Sequence, residues 1–265
     1  MTAPPCESEF ADRIVIVLGT IRSGTTWLTE LLRAHPDIAV TDRESWIFHG
    51  LWELWENVHS STGDGPASYL GQDHVVATMR AFCDQIFAAA RDRHGPGASW
   101  FVEKTPGHVE RLALIAATHP DAWYIHLVRD GRDVARSIVR APWGQTRLGD
   151  AAAHWASGVR RVHEHRWQLE RFAELRYEDL LADPVGLMTQ LYGWMGLPVD
   201  ADVEKRLAEH ATHEVVRFSA TDPVGAGKWR DMSMEDLAQI YEEAGDLLIQ
   251  LGYADSGSGP PPGAP

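Results

Sequence analysis

The sequence predicts a single α/β domain with a central parallel sheet, flanking helices and a helical C-terminal third. The first observation is a β-branched apolar run at 14–18, which enters a glycine-bounded loop that opens a helix. The second is the alternation of short apolar runs with helical patterns through the first half of the chain. The third is the length of 265 residues, which is enough to bury a sizeable core in one domain.

In the first half, strands are predicted where apolar runs are short and helices where apolar residues recur at helical spacing. The predicted elements are strands at 14–18, 38–40, 100–103 and 123–128 and helices at 27–32 and 109–117. The first helix is expected to end before Pro36, because proline cannot continue it. Asp133 is predicted to cap the helix that follows the fourth strand.

The C-terminal third has helical periodicity around Trp155, around Leu191 and after Leu237. Ser233 and Asp236 have the spacing of a capping box before the last of these helices. We expect these helices to pack over the sheet.

Composition predicts one structured domain over 13–253. Residues 1–12 are expected to be a flexible N-terminus, and 254–265 a disordered tail dominated by Gly, Pro and Ser. Two cysteines, Cys6 and Cys83, provide neither a disulfide framework nor metal-site spacing, which favours a reducing compartment. With no apolar segment long enough to span a membrane and no secretion signal, the predicted location is the cytoplasm.

The charge balance limits the classes of partner. The chain has 24 Lys and Arg against 38 Asp and Glu, a formal net charge of −14. This argues against nucleic acid and anionic membranes, both of which need extended basic surfaces. An anionic ligand must therefore be bound by a local basic pocket.

The loop after the first strand has the features of a phosphate-binding loop. The spacing from Gly19 to Gly24 is that of an ATP-type P-loop, and such loops direct backbone N–H groups at an anion. Thr25, however, occupies the position of the nucleotide-binding lysine, and Arg22 lies inside the loop. We predict that the guanidinium, with its forked donors, contacts a phosphate-like group.

A second anion motif follows the fourth predicted strand. Arg129 ends that strand, Gly131 opens a turn, and Ser137 lies in the helix that follows. This places a guanidinium and a hydroxyl at the sheet edge where α/β proteins bind ligands. Two anion sites on one sheet predict a ligand with two separated anionic groups.

With both motifs in this order, residues 14 to about 251 resemble the sulfotransferases that use 3′-phosphoadenosine 5′-phosphosulfate (PAPS), specifically the bacterial branch with Arg in the first loop. The resemblance implies PAPS as donor and 3′,5′-adenosine bisphosphate (PAP) as product. The residues it assigns to the 5′-phosphosulfate are Arg22, Ser23, Gly24, Thr25, Thr26 and Trp27. It assigns Arg129 and Ser137 to the 3′-phosphate.

Two later segments extend the resemblance. Tyr177, in a Tyr-Glu-Asp segment, is implied to lie near the adenine. A late loop is implied to fold over the 3′-phosphate through Gly227, Lys228, Trp229 and Arg230. The chain departs from the better-known cytosolic branch, which has Lys in the first loop and an Arg-Lys-Gly opening in the late loop.

Sulfuryl transfer needs cations near the bridging oxygen and a base at the acceptor hydroxyl. Arg22 is the first candidate cation, and Lys104, in a Lys-Thr-Pro stretch similar to the family's, is the second. Glu44 and His108 are rival candidates for the base, and Glu44 is favoured. No metal is required, because a sulfuryl group carries less charge than a phosphoryl group. No metal site is predicted either, since His163 and His165 are two residues apart and point to different helix faces.

The predicted function is sulfuryl transfer from PAPS to a hydroxyl of a small molecule, lipid, carbohydrate or natural product. Two alternatives remain open, a P-loop phosphotransferase or nucleotide kinase and a non-catalytic nucleotide-binding module. The Trp-rich segment at 46–55 is compatible with core or lid packing and with an apolar acceptor pocket. The oligomeric state, a homo-oligomer included, is also open.

Overall fold

A computed structural model describes residue 10 and residues 12–58, 65–219 and 225–255, with the side chains of 213–219 left undescribed. The predicted N-terminal segment and tail therefore lie almost entirely outside the described residues, as does Cys6. Within the described part of the chain, no helix is both long enough and apolar enough to cross a membrane.

Five strands form one parallel sheet in the spatial order β2-β3-β1-β4-β5. The strands are β1 Ile14–Leu18, β2 Ile38–Val40, β3 Trp100–Lys104, β4 Trp123–Val128 and β5 Arg171–Arg176. The predicted bounds of β1, β2 and β4 are confirmed, and β3 is one residue longer than predicted. The strand β5 was not predicted. It is a half-exposed edge strand, and its charged residues interrupt the apolar pattern by which a buried strand is recognised.

Twelve α-helices surround the sheet in the described part of the chain. They are α1 Thr25–Leu32, α2 Ile47–Gly50, α3 Trp52–Val58, α4 Ala67–Leu70, α5 Gln72–His94, α6 Leu112–Thr118, α7 Gly131–Val139, α8 Leu148–His165, α9 Tyr177–Ala182, α10 Pro184–Trp194, α11 Ala201–Ser219 and α12 Met234–Gln250. Short 3-10 turns at Pro106–Arg111, Arg166–Gln168 and Lys228–Asp231 connect some of them. The predicted helix at 109–117 begins as the first of these turns and continues as α6.

Both faces of the sheet are covered, as a parallel sheet requires. Helices α1, α9, α10 and α11 pack on one face, and α5 and α6 pack on the other. A third apolar cluster lies between α7, α8 and α12, centred on the fully buried Trp155. The prediction that the C-terminal helices pack over the sheet is confirmed for α10, and for α8 through Val162, whereas α12 packs against α7 and α8.

The start of α7 differs from the prediction. Asp130, not Asp133, is the N-cap, and its side chain accepts a hydrogen bond from the backbone N–H of Arg132. Asp133 lies in the first turn and binds a distant loop instead, as described below. The predicted cap of α12 is confirmed, because the Ser233 hydroxyl accepts from the N–H of Asp236 at 3.1 Å.

The Trp-rich segment divides between the core and the surface. Phe48 is fully buried, and Trp52 and Trp55 pack against the same apolar cluster. Trp46 is 49% exposed and has a left-handed φ of 54°. Packing therefore explains most of the segment, and Trp46 is the tryptophan in it that faces outward.

Candidate functional site

Each of the five strands ends at, or is followed by, at least one predicted site residue. In the spatial order of the strands these are Glu44 after β2, Lys104 at the end of β3, Arg22 after β1, Arg129 after β4 and Tyr177 after β5. Chain connections diverge to both sides of β1, and ligands of open α/β sheets bind outside the carboxyl ends of strands at such a switch point. The topology thus brings five residues that are far apart in sequence to one edge.

The loop between β1 and α1 depends on two left-handed residues, Arg22 at φ 68° and Gly24 at φ 99°. A Cβ on Gly24 would lie 2.6 Å from the ring of Tyr177, so only glycine fits there. The Ser23 hydroxyl is buried and donates to the carbonyl of Thr20 at 2.6 Å, which closes the loop.

Helix α1 presents its N-terminus to this loop. Its N-cap is Gly24, which has no side chain to cap the helix, and its first turn contains no acidic residue. Thr26 is exposed, Thr25 is buried, and the buried Trp27 ring packs edge-on against Tyr177 at 5.7 Å between centroids. The positive end of the helix is therefore directed at the loop without a neutralising carboxylate.

The two predicted anion motifs are in direct contact. Arg22 Nε donates to the Ser137 hydroxyl on α7 at 2.8 Å. Arg129 Nη1 donates to the backbone carbonyl of Arg22 at 3.2 Å. Residues from the loop after β1 and from the loop and helix after β4 therefore form one cluster.

Arg129 is almost fully buried beneath the site. Its guanidinium stacks on the Tyr177 ring at 4.3 Å from the centroid, and Nη2 donates to the Gly225 carbonyl at 2.9 Å. The Asp133 carboxylate lies 3.9 Å away. Burial raises the pKa of the Tyr177 phenol, which therefore stays neutral at physiological pH.

The late loop is attached to α7 through Asp133. Its two carboxylate oxygens accept from the backbone N–H groups of Gly227 at 2.7 Å and Trp229 at 2.8 Å. The Trp229 ring also stacks on the Arg132 guanidinium, at 3.5 Å from the centroid. Lys228 and the exposed Arg230 belong to the same turn, and Arg230 Nη1 donates to the Gly227 carbonyl.

On the other side of the first loop, Lys104 and Glu44 form an ion pair with 3.3 Å between Nζ and Oε1. Lys104 Nζ also lies 3.5 Å from the Thr26 hydroxyl at the start of α1. The Glu44 side chain is one third exposed. A cation and a carboxylate thus adjoin the loop between β1 and α1, and the carboxylate is open to solvent.

His108 has a different environment. Its side chain is fully buried, and its Nε2 lies 2.9 Å from Oε1 of the buried Glu103. That same oxygen accepts from the hydroxyls of Ser45 and Thr105. Glu103 therefore binds three polar groups, from Ser45, Thr105 and His108, in the interior.

One polar cluster was not found from the sequence. His163 on α8 meets His126 on β4 and Glu174 on β5, and their ligand atoms lie within 4.8 Å of one another. Metal-site spacing in a sequence is visible only between near neighbours such as His163 and His165. These three residues come from separate elements, so the signal was available only from the unpredicted pairing of β5 with β4.

Comparisons with known proteins agree on one protein family. The model of a family described as the sulfotransferase family matches residues 14–201. The chain is 25% identical over 288 residues to nodulation protein NoeE of Sinorhizobium fredii, an alignment that covers 92% of this chain and 66% of that protein. The chain therefore spans just under two thirds of the length of NoeE.

Solved structures share the fold. The sulfotransferase domain of the Synechococcus PCC 7002 olefin synthase has a TM-score of 0.64 at 20% identity, covering 91% of this chain and 94% of that one. Mouse sulfotransferase SULT7A1, solved in complex with PAP, has a TM-score of 0.54 at 15% identity, covering 93% and 86%. At these identities the likeness concerns the fold.

Proposed function

This chain belongs to the sulfotransferase family, and from that premise we propose that its carboxyl-edge site transfers a sulfuryl group from PAPS to an acceptor hydroxyl. The observation that supports this most strongly is the contact between the two anion motifs, Arg22 with Ser137 and Arg129 with the Arg22 carbonyl. A donor with anionic groups at its 5′ and 3′ positions needs two basic sites. Both must lie on the same edge of the sheet and within the length of one ligand.

The residues present fit such a donor. The first loop offers backbone N–H groups, an uncapped helix N-terminus and a glycine whose missing Cβ leaves room beside the Tyr177 ring. We assign Arg22, Ser23, Gly24, Thr25, Thr26 and Trp27 to the 5′-phosphosulfate end. Arg129, Ser137 and the late loop with Gly227, Lys228, Trp229 and Arg230 are assigned to the 3′-phosphate, and Tyr177 to the adenine side.

When bound, PAPS supplies the sulfuryl group and a bisphosphate leaving group. In a loose transition state, negative charge develops on the oxygen that bridges the two, by analogy with phosphoryl transfer. We propose that Arg22 and Lys104 stabilise this charge, because Arg22 belongs to the loop that leads into α1 and Lys104 Nζ lies 3.5 Å from the Thr26 hydroxyl at the start of that helix. Residues that stabilise developing charge in a fixed geometry lower the barrier most effectively.

We propose Glu44 as the general base. Its side chain is one third exposed and lies next to Lys104, so an acceptor hydroxyl has access to it. His108 is a poorer candidate, since its ring is fully buried and its Nε2 is bonded to Glu103. A general base must come within hydrogen-bond reach of the proton that it removes.

The acceptor is proposed as a hydroxyl compound that approaches between Glu44 and the exposed Trp46. The indole is 49% exposed and lies edge-on to His49 at 4.8 Å, which leaves an apolar face next to the base. Phenols, lipids and sugars all have faces that pack on an indole. For the compartment we retain the cytoplasm, since a chain with only two cysteines has no disulfide framework of the kind that oxidising compartments favour.

The test is transfer of ³⁵S-labelled sulfuryl groups from PAPS to a panel of sugars, phenols, lipids and peptides, with donor-only controls. The wild type is expected to label at least one acceptor class, with or without added Mg²⁺. Arg22→Ala is expected to lower kcat by roughly a hundredfold to a thousandfold, the cost of losing one positioned charge-stabilising group. Because Arg22 is exposed, its removal should leave the melting temperature unchanged.

Arg166→Ala is the matched control, since Arg166 is exposed and lies at the far end of α8. It should keep wild-type turnover. Full turnover by Arg22→Ala would contradict the proposed role of the first loop. Tight PAP binding without transfer to any acceptor would instead indicate a non-catalytic nucleotide-binding module.

A further inference from the structure

The cluster of His126, His163 and Glu174 lies apart from the groups assigned above to donor binding and catalysis. His126 and Glu174 are directly opposite each other in the parallel pairing of β4 with β5, so their side chains share one face of the sheet. His163 reaches the same point from α8, which packs over that face. Three elements therefore bring two imidazoles and one carboxylate together.

The distances are those of a compact ligand set. Glu174 Oε2 lies 2.9 Å from His126 Nδ1 and 2.7 Å from His163 Nε2. Ligand atoms of a tetrahedral zinc ion, bonded at about 2.0–2.1 Å, are roughly 3.3 Å apart. A small outward movement of the two partly exposed side chains, His163 and Glu174, is enough to admit an ion.

The position of His126 is unusual for a polar side chain. Its ring is completely buried on an apolar sheet face that also includes Tyr124 and Phe172, and Nδ1 is the ring atom that faces the cluster. Burying a polar ring on such a face is unfavourable unless its polar atoms have partners. An apolar side chain would suit the position better if packing were its whole purpose.

Access from solvent is open on one side. The side chains of His163 and Glu174 are 18% and 29% exposed, while His126 closes the inner side. An ion bound by all three would keep an outward position for water, as three-ligand zinc sites do. Nitrogen and oxygen donors in this mixture favour zinc and its transition-metal neighbours over Mg²⁺ or Ca²⁺, which prefer oxygen alone.

We propose that His126, His163 and Glu174 form a binding site for one divalent transition-metal ion, with Zn²⁺ as the best fit. The ion would link the edge strand β5 to β4 and α8. These two strands end just before Arg129 and Tyr177, so the ion stabilises the frame of the proposed nucleotide site without contacting the reacting groups. Sulfuryl transfer is not assumed by this proposal and is not needed to test it.

The test uses the full chain without a histidine tag, stripped of metal with a chelator and exchanged into clean buffer. Zn²⁺ is then titrated in competition with a chromophoric chelator. One equivalent is expected to bind, and a hundredfold excess over Kd should raise the melting temperature by roughly 5–10 °C. Co²⁺ at the site should give the visible absorption of a four-coordinate ion, and Mg²⁺ and Ca²⁺ should have no effect.

Two variants identify the ligands without removing the buried histidine. His163→Ala and Glu174→Gln should each weaken Zn²⁺ binding by on the order of a hundredfold and abolish the Co²⁺ spectrum. His165→Ala, on the same helix but outside the cluster, should bind like the wild type. The proposal is overturned if the wild type fails to bind one equivalent saturably, or if both variants bind as tightly as His165→Ala.

Discussion

At the scale of single residues, the site depends on which polar groups are exposed and which are buried. Lys104 contacts both Glu44 and Thr26, so it links the proposed base to the helix N-terminus that faces the loop after β1. The His108 ring, by contrast, is locked to Glu103 in the interior. Glu44 and His108 are both candidates for the base from the sequence, but only Glu44 is accessible to an acceptor.

We predict that Glu44→Gln lowers kcat/KM for transfer by roughly a hundredfold to ten-thousandfold, the usual contribution of a general base. Affinity for PAP, measured by calorimetry, should stay within about threefold of the wild type, because the amide preserves the shape of the side chain. A variant that transfers at the wild-type rate would exclude Glu44 as the base.

The comparison for this prediction is His108→Gln. Removing the imidazole leaves the buried Glu103 carboxylate with one partner fewer, so the expected loss is in stability. The surviving folded fraction should transfer at close to the wild-type rate per molecule. If instead its stability is unchanged and its turnover falls, His108 is the better candidate for the base.

Gly24 allows a direct test of the loop conformation. Gly24→Ala forces a side chain into a left-handed φ of 99° and against the Tyr177 ring. We expect a loss of about 2 kcal/mol or more in unfolding free energy, measured by urea denaturation, together with loss of PAP binding. Gly193→Ala is the control, since that helical position has no atoms near a new Cβ among the described residues and should gain up to about 1 kcal/mol.

At the scale of elements, α7 organises the proposed nucleotide side of the site. Its N-cap Asp130 begins the helix, Ser137 about two turns later contacts Arg22, and Asp133 between them binds the late loop. One helix therefore joins two separate segments of chain, the loop after β1 and the late loop. The geometry of the late loop depends on two backbone hydrogen bonds to a single carboxylate.

We predict that Asp133→Asn loosens the late loop, because an amide offers one oxygen where two N–H groups need acceptors. The expected effect is a PAP affinity lower by tenfold or more, corresponding to about 1–3 kcal/mol for an unmatched buried donor. Limited proteolysis should also cut the variant faster near Gly227. Asp231→Asn, an exposed acid of the same turn, is the control; equal affinities in the two variants would show that the loop is held by other contacts.

At the scale of the whole molecule, buried histidines give folding a defined pH dependence. Burial lowers the pKa of both His119 and His126, so the folded chain resists protonation while the unfolded chain takes up protons near pH 6.5. The unfolded state then binds more protons, and stability must fall as the pH falls. Glu174, whose pKa is held below its usual range, adds a further loss once the pH drops below about 4.5.

We therefore predict that the unfolding free energy, measured by urea denaturation with a metal chelator present, decreases steadily from pH 7.5 to pH 5. Each histidine contributes at most about 1.4 kcal/mol per pH unit. His119→Gln should flatten this dependence, whereas His165→Gln, a partly exposed histidine, should not. A wild-type stability that is constant over this range would contradict the assignment of neutral buried rings.

Sequence reasoning was strongest where structure depends on residues close together in the chain. The bounds of β1, β2 and β4, the cap of α12 and the glycine-bounded loop all follow from apolar runs, φ preferences and capping chemistry within a few residues. The parallel sheet and the position of the anion motifs at its carboxyl edge follow from the alternation of such elements. The individual elements depend on residues close together in the chain, so short stretches of sequence are enough to predict them.

Contacts between side chains that are far apart in the chain are visible only in the folded structure. The strand β5 is not predicted, because edge strands can be polar. Without β5, the pairing of His126 with Glu174 cannot be predicted either. Asp133 was expected to cap its own helix, yet it binds backbone groups 94 and 96 residues away. Burial of His108 and exposure of Glu44 likewise depend on how helices cover the sheet. Such contacts are determined by strand register and by packing between elements. Neither can be predicted from a short stretch of sequence.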